Sequence, residues 1–385
     1  MDFDLTEDQQ SIRTAIRDVC ADFPGEYWRG LEVTGDYPDR FVRTLTELGW
    51  LSVLIPEAYG GGGLGMTEAG LILEEIHRCG ANANACHAQM YTMGALLRHG
   101  SDEQKQRYLP AIARGDLRLQ AFGITEPDAG SDTTRIRTRA ERHGDQYVIN
   151  GQKTFISRVD QSDLMLLLAR TGPSDETDRT AGISLFLVDL RTARDQVKTQ
   201  RIPLMFNHHT YAVYFTDTAV PAANLIGEEG RGFRYVLDGF NAERILIASE
   251  ALGDGHFFID RASAYAGTRE VFGRPLGANQ GVAFPLAQAY AQVAGASLMR
   301  LHAASRFDRG LPCGEQANTA KLLASQASWA AANACLTAYG GAGFAAEFDV
   351  ERKFRETKLL EIAPVSNNLV LAHLAQRVLG LPRSY

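Results

Sequence analysis

The sequence predicts an α+β fold in three consecutive parts: an N-terminal α-helical domain over 1–118, a central antiparallel β domain over 119–225 and a C-terminal four-helix bundle over 226–385. Three observations carry this reading. Apolar residues recur at helical spacing from Leu5 to about Leu117, the period shortens to that of strands as far as Leu225, and helical spacing returns from Gly230 in long segments. The first part opens at Thr6-Glu7-Asp8-Gln9, where Thr6 and Gln9 have capping-box spacing around an acidic first turn. Tyr37-Pro38 then starts a helix whose Phe41, Leu45 and Leu48 share a face, and 66–78 and 84–97 read as further helices. In the central part, 146–156 reads as two strands around Asn150-Gly151, the strongest short-range hairpin signal, and 164–168, 183–188 and 212–215 add strands. The last part holds helical segments over about 232–267, 280–309, 314–339 and 350–378. They exceed the globular mean of about 11–12 residues, which predicts lengthwise packing in a bundle.

Composition narrows the function classes. The 39 Lys+Arg against 46 Asp+Glu leave a formal net charge of −7, which argues against a nucleic-acid-binding protein. The 5 cysteines are odd in number and contain no Cys-x-x-Cys pair, so the expectation is a reducing compartment without a disulfide framework or a cysteine-based zinc site. Met1-Asp2-Phe3-Asp4-Leu5 carries acids where a signal peptide needs basic residues, and no apolar run reaches the roughly 18 residues of a membrane span. A cytoplasmic protein without a membrane partner is expected. The histidines point to no metal: His77, Cys79, Cys86 and His87 lack the paired spacing of a zinc site.

Two glycine-bearing stretches invite a nucleotide reading. Gly60-Gly61-Gly62-Gly63-Leu64-Gly65 satisfies the pattern of dinucleotide sites, but helical patterns surround it without a parallel βαβ unit, so it reads as a flexible turn between helices. Ala121-Phe122-Gly123-Ile124-Thr125-Glu126-Pro127-Asp128-Ala129-Gly130-Ser131-Asp132 breaks from an apolar run into hydroxyls and backbone N–H groups suited to a phosphate-bearing ligand. Alone it reads as a turn entering the β part.

Three further stretches change that weighting: Asn150-Gly151-Gln152-Lys153-Thr154-Phe155-Ile156-Ser157; Arg269-Glu270-Val271-Phe272-Gly273-Arg274-Pro275 with Gln280; and Tyr339-Gly340-Gly341-Ala342-Gly343-Phe344. With the Thr125–Asp132 run, their order and spacing resemble the acyl-CoA dehydrogenase family over essentially the whole chain. The resemblance implies FAD between the β part and the C-terminal helices. Phe122, Ile124 and Thr125 would line the flavin, and Ser131 would approach the pyrophosphate and the thioester ligand. Phe155 stands where the family usually places a tryptophan against the flavin, and Ser157 where a hydroxyl meets its polar edge. Arg269, Phe272 and Gln280 match residues that hold the ADP half of a neighbouring subunit's FAD, which implies a homo-oligomer, a tetramer. Thr337, Gly340 and Gly341 match another part of that site, and Ser366 and Asn368 are also assigned to the cofactor.

The base departs from much of the family. Oxidation α,β to a thioester needs a carboxylate to take the α-proton. In Leu359-Leu360-Glu361-Ile362-Ala363-Pro364-Val365-Ser366-Asn367-Asn368, Pro364 occupies the place of the commoner C-terminal glutamate, and Glu361 reads as a structural acid. The family's second location, in the subgroup resembling isovaleryl-CoA and long-chain dehydrogenases, matches Phe240-Asn241-Ala242-Glu243-Arg244-Ile245. Helical arithmetic supports Glu243 independently: Val236, Phe240, Glu243 and Ile247 form one apolar stripe, where desolvation raises a carboxylate's pKa. A structural pairing of Glu243 with Arg244 is the competing reading. Gln89, Tyr91, Asn241 and Arg244 are candidates for the substrate site.

The implied activity is FAD-dependent α,β-dehydrogenation of an acyl-CoA or acyl-carrier-protein thioester to the trans-2-enoyl thioester, with electrons passed to an electron-transfer flavoprotein. The missing C-terminal glutamate keeps open a same-fold monooxygenase, nitroalkane oxidase, desulfinase or enoyl-thioester reductase. A catalytically silent scaffold subunit is the alternative from another class. The acyl group is not legible.

Overall fold

The computed structural model describes residues 4–173 and 177–382, so Met1–Phe3 of the acidic opening lie outside the described residues. The N-terminal part packs six helices, α1 (Glu7–Ala21), α2 (Gly25–Thr34), α3 (Asp39–Glu47), α4 (Met66–Arg78), α5 (Ala88–His99) and α6 (Asp102–Ala113). The capping box at Thr6 and Gln9 starts α1, each side chain bonding the other's backbone N–H. Met66–Arg78 is a helix, as its periodicity predicts. Three boundaries differ from expectation. α2 went unread because its Pro24 and Gly25 start looks like a turn; Leu48 lies past the end of α3 and is exposed; and the α5 segment begins with a 3₁₀ turn at Ala83–Ala85.

The glycine run is a turn between helices, but a tight one. Gly62, Gly63 and Leu64 donate their N–H groups to the carbonyls of Ser52, Ile55 and Val53, and a Cβ on Gly61 would meet the Ile55 carbonyl at 2.2 Å.

The central part is an 8-stranded sheet, not purely antiparallel. Its strands are β1 (Leu119–Gly123), β2 (Arg139–His143), β3 (Gln146–Ser157), β4 (Leu164–Arg170), β5 (Ile183–Asp189), β6 (Val197–Arg201), β7 (Thr210–Pro221) and β8 (Leu225–Ile226). The order is β6-β7-β3-β2-β4-β5-β8, with β1 joined in parallel to β4. Direction was hidden because β4 is buried on both faces: Leu164, Leu166 and Leu168 enter one core, and Met165, Leu167 and Ala169 another. Asn150-Gly151 is no hairpin turn. β3 runs through it with a register shift, and the turn falls at Gly144-Asp145, between His143 and its partner Gln146. Gly151 is glycine because β2's approach leaves no room: a Cβ would meet Thr138 at 2.5 Å.

The C-terminal part holds α7 (Gly232–Thr268), α8 (Gln280–Asp308), α9 (Gly314–Tyr339), α10 (Val350–Ile362) and the short α11 (Asn367–His373). The expected single helix over 350–378 is two, interrupted around Pro364, which has no N–H to donate and whose ring crowds the preceding turn. Ser366 caps α11, accepting from the Leu369 N–H. One apolar core joins α1 to α5 with α7 to α10, so the first and last parts of the chain share their interior.

Candidate active site

A buried ion pair fixes the loop after β1. Lys153 on β3 is fully buried and donates to the Ile124 carbonyl at 3.0 Å and the Glu126 carboxylate at 2.9 Å. Glu126 also accepts from the backbone N–H groups of Arg137 at 2.6 Å and Thr138 at 2.9 Å. Burial pulls the Lys153 ammonium down to about 8. Burial pushes Glu126 the other way, but Lys153 and the hydrogen bonds hold it below its ordinary value. The Thr154 N–H bonds the Thr125 carbonyl at 2.9 Å, tying the loop to β3 beside Phe155.

Phe155 is thrown out of the sheet. The register between β3 and β7 shifts between Lys153 and Ile156, and Phe155 adopts φ 57°, a left-handed conformation costly for an aromatic residue. Its ring is 60% exposed, within a chain segment whose neighbour Ile156 is buried. Ser157 contacts His208 Nε2 at 2.9 Å and the Thr210 hydroxyl at 3.2 Å. Ser131 lies in an exposed turn, where Thr133 bonds the Gly130 carbonyl at 3.0 Å. An aromatic face aimed outward, with apolar Phe122 and Ile124 and hydroxyls of Thr125 and Ser157 nearby in the chain, fits a planar ring system with a polar edge.

Glu243 lies on α7 and is only 5% exposed. Burial pushes its carboxyl up to about 7, although the hydrogen bond from Tyr91 and the charges of Arg244 and Arg158 act in the opposite direction. The structure therefore brings together Tyr91 and Glu243 from α5 and α7. Gln89 is buried as well, but two residues from Tyr91 it faces elsewhere. Arg244 acts on Glu243 through its charge, while its guanidinium reaches Asn241 Oδ1 at 3.4 Å and lies over the Phe240 ring at 5.5 Å. Glu361 is occupied by Lys358.

The remaining site candidates face outward. Arg269 ends α7, Phe272 is 100% exposed at φ 52°, and Gln280 starts α8. Thr337, Gly340, Gly341 and Asn368 are exposed too, Thr337 bordering a groove of about 350 Å³ between α8 and α9. Glu243 and Arg269 are separated by 26 residues of one helix, about 39 Å. Within one chain, the two groups belong to different places.

Sequence reasoning missed Arg158, His87 and Glu250. Arg158 is buried at φ 61° and donates to the Asn84 carbonyl; nothing in the sequence marks it. Glu250 was signalled by its position seven residues after Glu243 on the same helical stripe. Among the described residues, no group of three or more His, Cys, Asp or Glu is arranged to hold a metal ion.

A helical domain, a sheet and a helical bundle, in that order, is the arrangement of an acyl-CoA dehydrogenase, and three family models divide the chain in the same way. The acyl-CoA dehydrogenase N-terminal, middle and C-terminal domain models match residues 6–116, 121–218 and 230–379. The acyl-CoA dehydrogenase FadE12 of Mycobacterium tuberculosis is 37% identical over 385 residues, covering 99% of this chain and 98% of its own. A glutaryl-coenzyme A dehydrogenase in complex with glutaryl-CoA superposes with a TM-score of 0.93 at 29% identity, over 100% of this chain and 98% of that one. Butyryl-CoA dehydrogenase from Megasphaera elsdenii does so with a TM-score of 0.92 at 27% identity, over 98% and 100%. The chain belongs to the acyl-CoA dehydrogenase family.

Proposed function

We propose that this chain oxidises an acyl thioester, carried on coenzyme A or an acyl carrier protein, to its trans-2-enoyl form, and that Glu243 is the base. The observation that carries the reading is a carboxylate buried opposite Tyr91, on a 37-residue helix, with its pKa pushed up to about 7. A base poised there is ionised enough at neutral pH to accept a proton, and basic enough to do so from a weak carbon acid. Tyr91 orients the carboxylate, and burial excludes water from it. Asn241, Arg244 and Ser131 are the candidate contacts to the thioester.

FAD, held by Phe122, Ile124, Thr125, Ser131, Phe155 and Ser157, with Ser366 and Asn368 from the C-terminal part, supplies the hydride acceptor when bound. The separation of Arg269, Phe272 and Gln280 from Glu243 supports their use, with Thr337, Gly340 and Gly341, on a neighbouring subunit's cofactor. A fully exposed Phe272 in a left-handed conformation is what a homo-oligomer, a tetramer, would cover. An electron-transfer flavoprotein as acceptor follows from the same reading. The five free cysteines support a reducing, cytoplasmic setting, and no helix among the described residues is long and apolar enough to cross a membrane.

The test is anaerobic bleaching of the purified yellow protein by saturated thioesters on coenzyme A and on acyl carrier protein. Bleaching with formation of an enoyl product is expected. A colourless protein would favour the scaffold alternative, and a yellow protein that no thioester bleaches would favour another flavin chemistry on this fold.

A further inference from the structure

The helices that place Glu243 opposite Tyr91 carry a second polar pair on the same faces. Glu250 follows Glu243 by seven residues, two turns on and about 10 Å along α7. His87 precedes Tyr91 by four residues, and their rings lie 5.6 Å apart. His87 Nδ1 and Glu250 Oε1 are hydrogen-bonded, both side chains are buried, and burial keeps His87 neutral. α5, with its N-cap residue His87, and α7 thus present two matched rungs, Tyr91 with Glu243 and His87 with Glu250.

The second rung sits among polar atoms that lack partners. Glu250 Oε2, Arg158 Nε, Asn84 Nδ2 and Gln120 Nε2 are all buried without a hydrogen bond. They form one neighbourhood: Arg158 bonds the Asn84 carbonyl and acts electrostatically on Glu243, Glu250, His87 and Tyr91, while Tyr37 bonds both the Gln120 side chain and the Ala85 carbonyl. Buried donors and acceptors are almost always satisfied, by protein, water or a ligand, so these orphans mark a polar site beside the Glu243 candidate. Three of the four are N–H donors, which call for oxygen. The Arg158 cation acts on the Glu250 carboxyl, which also lies 3.8 Å from His77 Nε2, so a carboxylate there would meet Glu250 and an ammonium would meet Arg158.

We propose that the rung formed by His87 and Glu250, with Arg158, selects an acyl chain bearing an uncharged oxygen function, a hydroxyl or carbonyl, a few carbons beyond the reacting pair. The proposal rests on the thioester reading above. A plain alkyl end would leave the N–H donors of Arg158, Asn84 and Gln120 unpaired, whereas one oxygen can accept two of them.

The test compares hexanoyl-CoA with its terminal-hydroxy, terminal-oxo and terminal-carboxy counterparts on the FAD-loaded protein. Anaerobic flavin reduction is read for the thioesters, and calorimetric Kd for the corresponding CoA thioethers, which cannot be oxidised. The hydroxy or oxo member is expected to lead the alkyl one at least about tenfold in both readouts, because sites built to hydrogen-bond an oxygen reject analogues lacking it. Arg158→Met, which removes one of the donors that read the oxygen, should erase or invert that order. Equal or better performance by hexanoyl in the wild-type protein overturns the proposal whatever the variant does, as does a lead by the carboxy member. If no thioester reduces the flavin while the thioethers bind in the expected order, the dehydrogenation reading falls and the recognition stands. Loss of both removes both.

Discussion

If Glu243 is the base, it works only when ionised, and its burial sets the pH at which that happens. With a pKa of about 7, flavin reduction at saturating thioester should climb about tenfold per pH unit below 7 and level off above it. Glu243→Gln keeps the size and polarity, so it should retain ligand binding while slowing reduction by about 10²–10⁴-fold, with that pH limb gone. Stopped-flow rates within a few-fold of wild type would remove Glu243 from the role. The same shift has a stability sign. A carboxyl whose folded pKa lies above its unfolded value stabilises the fold most at low pH, and the contribution is lost as pH rises through 7. Glu243→Gln should therefore flatten the fall of Tm between pH 5 and 8, a readout independent of cofactor. At Phe155, retention of bound flavin should survive Phe155→Trp better than Phe155→Ala, since the ring's flat face is what the left-handed backbone presents; equal retention in both would refute stacking. Glu243 was legible because it interrupts an apolar stripe. Arg158 was not, because its meaning lies in a backbone angle and a carbonyl 74 residues away.

Elements hold these residues through a few buried polar ties. Lys153 reaches across from β3 to fix the loop carrying Ile124, Thr125 and Glu126. Lys153→Met should strand the Glu126 carboxylate in the interior and cost about 3–5 kcal/mol, the usual scale when one partner of a buried pair is removed. Denaturant unfolding would measure it, and adding Glu126→Leu should recover much of the loss. A cost under about 1 kcal/mol would show that the pair is dispensable to the loop. Element type was readable where a local signal acts alone, as at the Thr6 capping box or across Met66–Arg78. It failed where a neighbour decides: Asn150-Gly151 carries the letters of a turn, but Gly151 is there to admit Thr138, and the turn belongs to Gly144. Strand direction was equally hidden, because doubly buried β4 shows the same apolar run whichever way β1 lies beside it.

At the scale of the molecule, the length of α7 keeps Glu243 and its C-terminal cap Arg269 about 39 Å apart. If Arg269, Phe272 and Gln280 serve a neighbour's cofactor, Arg269→Ala should lower FAD retention and oligomer size together, since a charge-assisted contact is worth about 1.5–3 kcal/mol. Sedimentation and flavin absorbance on one sample test this, and a monomeric variant with full FAD would defeat it. The shared core of the first and last helices has a different consequence, one of timing. α4 and α5 leave the ribosome well before α7 exists, and their apolar faces wait through the synthesis of the whole sheet for the helix that covers them. Closing that gap brings together residues far apart in sequence, a high contact order that slows the search and lengthens the interval in which apolar surface stands open to other chains. The long helix that carries Glu243 in the finished protein is thus also the step on which its assembly waits.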